Sequence, residues 1–154
     1  MFEKKIRNWI LDHKEVLFFV VLTLMSVYVR YKQKDFASTD FNQFLLPWYQ
    51  EMKESGFHAL STQIGDYSIP SQELILLYTM IPVPALYVFK IAYFLTDLFM
   101  CFIGGKIIEK ITGKKSMFFV TFAILITLPE MMLNSSFWSQ CDSLWEGFLC
   151  WQCC

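Results

Sequence analysis

The sequence predicts an all-α integral membrane protein: three transmembrane helices plus a truncated fourth, with a large outer loop carrying amphipathic interfacial helices. Three observations predict it. Of the 154 residues, 55% are apolar and sixteen are Phe, more than an ordinary soluble domain of this size carries. Residues 16–29 run without a charge, and two further apolar runs occupy 85–107 and 116–133. Bases collect before the first run and between the second and third, whereas the stretch between the first and second is acidic.

Residues 1–14 form a tail with Lys4, Lys5, Arg7 and Lys14. The run "EVLFFVVLTLMSVYVRY" then predicts a transmembrane helix over 15–31. No small-residue cleavage site follows, so this is an uncleaved helix and not a signal peptide. Tyr31 sits at its far end, where Arg30 and Lys32 snorkel outward.

Residues 32–84 form the outer loop. From 35 to 84 it holds one base, Lys53, against six acids, whereas 106–115 holds four Lys. The positive-inside rule therefore places the N-terminus and 108–115 in the cytoplasm, and 32–84 and 134–142 outside. Within the loop, Phe41, Phe44, Leu45, Trp48 and Met52 fall at helical spacing on one face. This predicts a helix lying flat on the outer membrane surface, bent at Pro47 and stopped by Gly56. "IGDYSIP" reads as a Gly-Asp turn, and "SQELILLYTMIP" as a second interfacial helix between Pro70 and Pro82. Asp40 opens the first helix. It reads as an N-cap, yet Thr39 or Ser38 caps equally well and leaves Asp40 for other work.

The second transmembrane helix, 85–107, carries Lys90 and Asp97. Seven residues apart, they share one face about 10 Å apart along the axis. Charges at that depth face protein or a water cavity. They either pair with polar groups of other helices or contact a substrate directly. The third helix, 116–133, has Pro129 and Glu130 near its end. A fourth apolar run at 143–154 is too short to span. A net charge of −1 gives no case for nucleic acid, and membrane lipid is the expected partner. The closing Cys150, Cys153 and Cys154 have no His nearby to complete a metal set.

The order of parts resembles the GT-C superfamily of polytopic glycosyltransferases. More narrowly, it resembles bacterial membrane proteins related to the second mannosyltransferase of GPI-anchor synthesis. "STDFNQFLLPWYQEMKESGFHAL", "IGDYSIPSQELILLYTMIPVPALYVFKIAYFLTD" and "LPEMMLNSSFWSQCDSLW" carry the likeness, which covers about residues 15–146. Thr39 and Ser139 stand where those relatives have Gly, and "EGFLCWQCC" replaces an aliphatic continuation. That ending implies a truncated or frameshifted N-terminal part of a longer enzyme, inactive by itself.

The resemblance implies a polyprenyl-phosphate sugar donor in the outer leaflet and a glycan or lipid acceptor. It implies Asp40 as the catalytic base on the acceptor hydroxyl, with inversion at the anomeric carbon. It implies that Trp138 stacks on a sugar ring while Gln140 and Asp142 bind hydroxyls. A base must lie within hydrogen-bond reach of the acceptor oxygen. The leaving phosphate needs Arg, Lys or a divalent metal; no motif here specifies a cofactor. On the residues alone, Trp138 also reads as an interface anchor and Asp142 as a helix cap. Two other classes compete: a transporter or flippase with Lys90, Asp97 and Glu130 along its path, and a small non-enzymatic membrane protein.

The charge pattern makes a topological prediction. With native thiols removed, Ser61→Cys should react with an impermeant thiol reagent on intact cells and Lys114→Cys should not. Labelling at 114 reverses the orientation.

Overall fold

A computed structural model describes residues 2–65 and 69–138. Among these residues the regular structure is helical, with no strand. The expected fourth helix at 143–154 lies outside the described residues, as do Gln140 and Asp142.

The basic tail is itself a helix, α1 (Phe2–Asp12). Phe2, Ile6, Trp9 and Ile10 form an exposed apolar stripe along it. The helix α2 (Lys14–Lys32) follows after His13 and matches the first predicted span within one residue at each end. The outer loop contains a π-helical turn over Phe41–Leu45, α3 (Leu46–Ser55), a 3₁₀ turn over Gly56–Ser61, and α4 (Ile69–Thr79). Pro47 has no N–H to give the carbonyl four residues back, and its ring crowds that carbonyl. The preceding turn widens, so the Leu46 N–H reaches back five residues to Phe41. α3 stops where expected: Gly56 has φ 55°, a conformation that a side chain would strain.

The apolar face of α3 meets protein where the sequence suggested a membrane surface. Phe41, Leu45, Tyr49 and Met52 are buried with Ile75 and Leu76 of α4 and with Phe89 and Tyr93. Phe44 is left exposed. Phe89 has no exposed surface, and Phe41, Tyr49 and Tyr78 pack edge-on to its ring at 5.9, 6.0 and 5.4 Å. Four aromatic residues on one centre supply more burial than a flat helix would gain at an interface.

Helix α5 (Ala85–Thr112) runs for 28 residues, so the expected loop 108–115 is mostly helix. Nothing interrupts the ladder after Ile107, and Lys106 pairs with Glu109 at 2.8 Å. Only Gly113 ends it, with φ 68°. At 1.5 Å per residue α5 is roughly 42 Å long, more than a hydrocarbon core requires. It is the one described helix that is long and apolar enough to cross a membrane alone. α2 has 19 residues, but each 18-residue window in it holds three charges: Lys14, Glu15 and Arg30, or Glu15, Arg30 and Lys32.

The third predicted span is broken. α6 (Lys115–Ile126) stops, and α7 (Pro129–Leu133) continues through a π-helical turn, Asn134–Trp138, after a bend of 55°. Pro129 forces its predecessor out of the helical region, and Leu128 has ψ 127°. Residues 134–138, expected as loop, are therefore helical. The two arms together pass the same length and composition test. α6 packs between α2 and α5. At Gly105 an added Cβ would sit 2.7 Å from the Phe118 ring, so the absent side chain is what lets α6 approach.

The break exposes the Ile126 carbonyl, and α2 supplies its donors. Ser26 Oγ donates to it at 2.8 Å and Arg30 Nη1 at 3.3 Å. Arg30 Nη1 also donates to Ser26 Oγ, and Nη2 pairs with Asp97 at 2.9 Å. Arg30 does not snorkel outward. It is 8% exposed, lies 5.2 Å from the Phe94 ring centre and joins all three helices.

Breaking one side of such a pair strands a buried charge, at a cost of about 3–5 kcal/mol. Arg30→Met and Asp97→Leu should each lower the melting temperature in detergent sharply, and the double variant should recover most of the loss. Additive losses would show that the pair does not act as a unit.

Candidate functional site

The site lies where α2 ends. Residues 33–38 leave α2 and turn into the outer loop between two grips. On one side Lys90 Nζ donates to the carbonyls of Gln33 at 2.5 Å and Phe36 at 2.6 Å. On the other, the turn after α7 docks: Ser136 Oγ donates to Gln33 Oε1 at 2.7 Å, and the Phe36 and Phe137 rings stack at 4.2 Å. Ser38 Oγ donates to the Trp138 carbonyl at 3.0 Å.

Ser38 also settles how the first outer helix begins. Its Oγ accepts the Phe41 N–H at 3.0 Å, the geometry of a side-chain cap. Its carbonyl accepts from the Asn42 backbone at 3.1 Å and from Asn42 Nδ2 at 3.0 Å. Asp40 itself is helical, at φ −63° and ψ −41°, makes no capping bond and is half-buried. The residues expected to work together are thus partly gathered. Asp40 lies two residues beyond Ser38, which is bonded to the backbone of Trp138, and the Trp138 indole is exposed.

Trp138 ends one π-helical segment, 134–138, and Asp40 immediately precedes the other, 41–45. In the first of these, Ser135 Oγ donates to the Met131 carbonyl at 3.0 Å, and the Ser136 hydroxyl shares its one hydrogen between Gln33 Oε1 and the Met132 carbonyl. Such back-bonding loosens a helix, and wide turns recur at functional sites.

Lys90 and Asp97 do share a face; Asp97 is engaged by Arg30 of α2 and Lys90 by the segment that follows α2. Moving along the chain from Arg30 to Phe36 corresponds to moving back along α5 from Asp97 to Lys90, as antiparallel packing requires. The antiparallel turn-back was legible as a signal for these partners; the choice of Arg30 and the 33–36 carbonyls was not.

Beside the Lys90 grip is a cavity of about 350 Å³. α2 and its last turn contribute Val27, Arg30, Tyr31 and Lys34; α5 contributes Tyr87, Lys90, Ile91 and Phe94. Ser135 and Ser136 close it from the third side. Among the described residues no three His, Cys, Asp or Glu side chains gather as a metal site would need. Comparisons with protein-family models, curated proteins and solved structures returned no match.

Ser38→Ala should remove the cap and the tie to Trp138 together. The expected loss is about 1 kcal/mol, with faster amide exchange over 39–42 and unchanged exchange around Cys101. Equal exchange in the two proteins would show that Ser38 does not hold the junction.

Proposed function

We propose that the chain is a multi-pass protein of the cell membrane with a cytoplasmic N-terminus. α2, α5 and the bent α6–α7 unit would be its spans. We infer further that it works in outer-face sugar transfer of the GT-C type. The observation that supports this reading is the docking of 33–38 onto 136–138: Ser38, two residues before Asp40, donates to the Trp138 carbonyl from 100 residues away in the chain.

On this reading Asp40 takes the proton of an acceptor hydroxyl as its oxygen attacks the anomeric carbon. The bond from that carbon to the phosphate oxygen breaks, polyprenyl phosphate leaves, and the configuration inverts. The half-buried setting of Asp40 suits a base that must reach substrate, and Ser38 relieves it of capping. The exposed Trp138 indole offers a face on which a sugar ring stacks. Gln140 and Asp142, which follow at once in sequence, would bind hydroxyls.

The transport reading needs Lys90, Asp97 and Glu130 along a path, and Glu130 is exposed at the start of α7. Asp97 is 1% exposed and held by Arg30, and Lys90 is held by two carbonyls, so neither supports it.

The test places Asp40→Asn at the native locus and follows labelled transfer from a panel of polyprenyl-phosphate hexoses in isolated membranes. Loss of a catalytic base lowers rate by about 10²–10⁴-fold. One hexose transfer should fall by that factor with the protein level unchanged. An unaltered transfer profile counts against the assignment.

A further inference from the structure

The cavity beside Lys90 is a site of its own. Lys90 is 8% exposed, and among the described residues no carboxylate lies within ion-pair distance of it. Its two bonds go to neutral carbonyls. Asp35 acts on Lys90 only through space, and a buried ammonium with no carboxylate in contact is costly unless an anion joins it. Of the other nearby charges, Arg30 is matched by Asp97, and Asp35, which accepts from Tyr87 Oη at 2.7 Å, offsets one of the two lysines Lys34 and Lys90. One positive charge is left over. Arg30 Nε, also buried, has no hydrogen-bond partner among the described residues.

Along α5 the lining runs from Tyr87 through Lys90 and Ile91 to Phe94, and along the α2 side from Lys34 and Tyr31 to Arg30 and Val27. Tyr87 to Phe94 spans about 10 Å of helix rise. On the proposed topology Lys34, Tyr87 and Lys90 lie at the outer-leaflet end and Ile91, Phe94 and Val27 below them, an order that suits a lipid standing head-up. At about 350 Å³ it is at the small end for a ligand site, with room for a phosphate head and the start of a chain.

We propose that this cavity binds the phosphodiester head of one anionic glycerophospholipid, with Lys90 as counter-charge and Lys34 at the rim. The single negative charge of a phosphodiester balances the single positive charge left over. The proposal rests on the transmembrane reading of α2 and α5 and is independent of sugar transfer.

The full chain, purified in neutral detergent, is titrated with phosphatidylglycerol or phosphatidylcholine and read by native mass spectrometry. One phosphatidylglycerol should bind, at least ten-fold more tightly than phosphatidylcholine. Lys34→Gln should weaken binding about five-fold, as expected for one base near an anionic lipid. Ile91→Trp, at an exposed wall position, should fill the cavity and abolish binding. Lys106→Gln, at the other end of α5, should change nothing. Lys90→Met should also abolish binding, and the first two variants keep the test valid if it fails to fold.

Equal binding of the two lipids overturns the proposal, as does wild-type affinity in Ile91→Trp. Displacement by millimolar inorganic phosphate would make this a free-anion site. Displacement by an equimolar polyprenyl-phosphate hexose would make it a donor site. Either result overturns the phospholipid assignment. Extraction of the chain from membranes by alkaline carbonate would remove its basis.

Discussion

The Ile126 carbonyl, freed where Pro129 breaks the third apolar run, is the point on which the helical packing depends. A carbonyl in an apolar setting needs a donor, and several kcal/mol ride on finding one. Ser26 and Arg30 supply it from α2. A buried guanidinium then needs a carboxylate, and Asp97 of α5 provides it. One backbone break thus fixes α2, α6 and α5 against each other through polar bonds whose geometry is far less forgiving than apolar packing.

The same pair sets what lies outward of it. With Arg30 anchored, the end of α2 arrives beside the first turns of α5, within reach of Lys90. The bend at Pro129 swings α7 and its wide turn toward the same place, where Ser136, Phe137 and Trp138 close on 33–38. The helices α3 and α4 are seated independently, on Phe89, the α5 residue next to Lys90. α5 therefore serves as a common spine: Phe89 holds the outer helices, Lys90 the loop entry and Asp97 the inner network. On the proposed topology, neutralisation by Asp97 also removes Arg30 from the charges that oppose a cytoplasmic N-terminus.

The helices were largely legible because their signals are local. The charge-free run marked α2, Gly56 marked the stop of α3, and Pro70 and Pro82 bracketed α4. The errors were also physical. A lysine-rich end of a helix looks like a loop when only charge is weighed, yet Lys106–Thr112 stays helical until a left-handed Gly113 stops it. An amphipathic face looks the same whether lipid or protein will cover it, so the seating of α3 on Phe89 had no sequence signature. The candidate site was half legible: Asp40 was singled out and Ser38 weighed as its substitute cap, but the grip of Lys90 on two carbonyls was not foreseen.

What the sequence determined by itself was the inventory: helical class, where each apolar run begins, the disturbance at Pro47, and the presence of charges too deep to be idle. These follow from backbone sterics and from the cost of moving charge out of water, which act on neighbours in the chain. What only the tertiary structure decided was the pairing. Arg30 chose Asp97 over solvent, Ser38 took the cap from Asp40, and Lys90 closed on backbone oxygens beside a cavity. Each choice depends on which groups meet across a helix interface, and a sequence states which donors and acceptors exist without stating the distances between them.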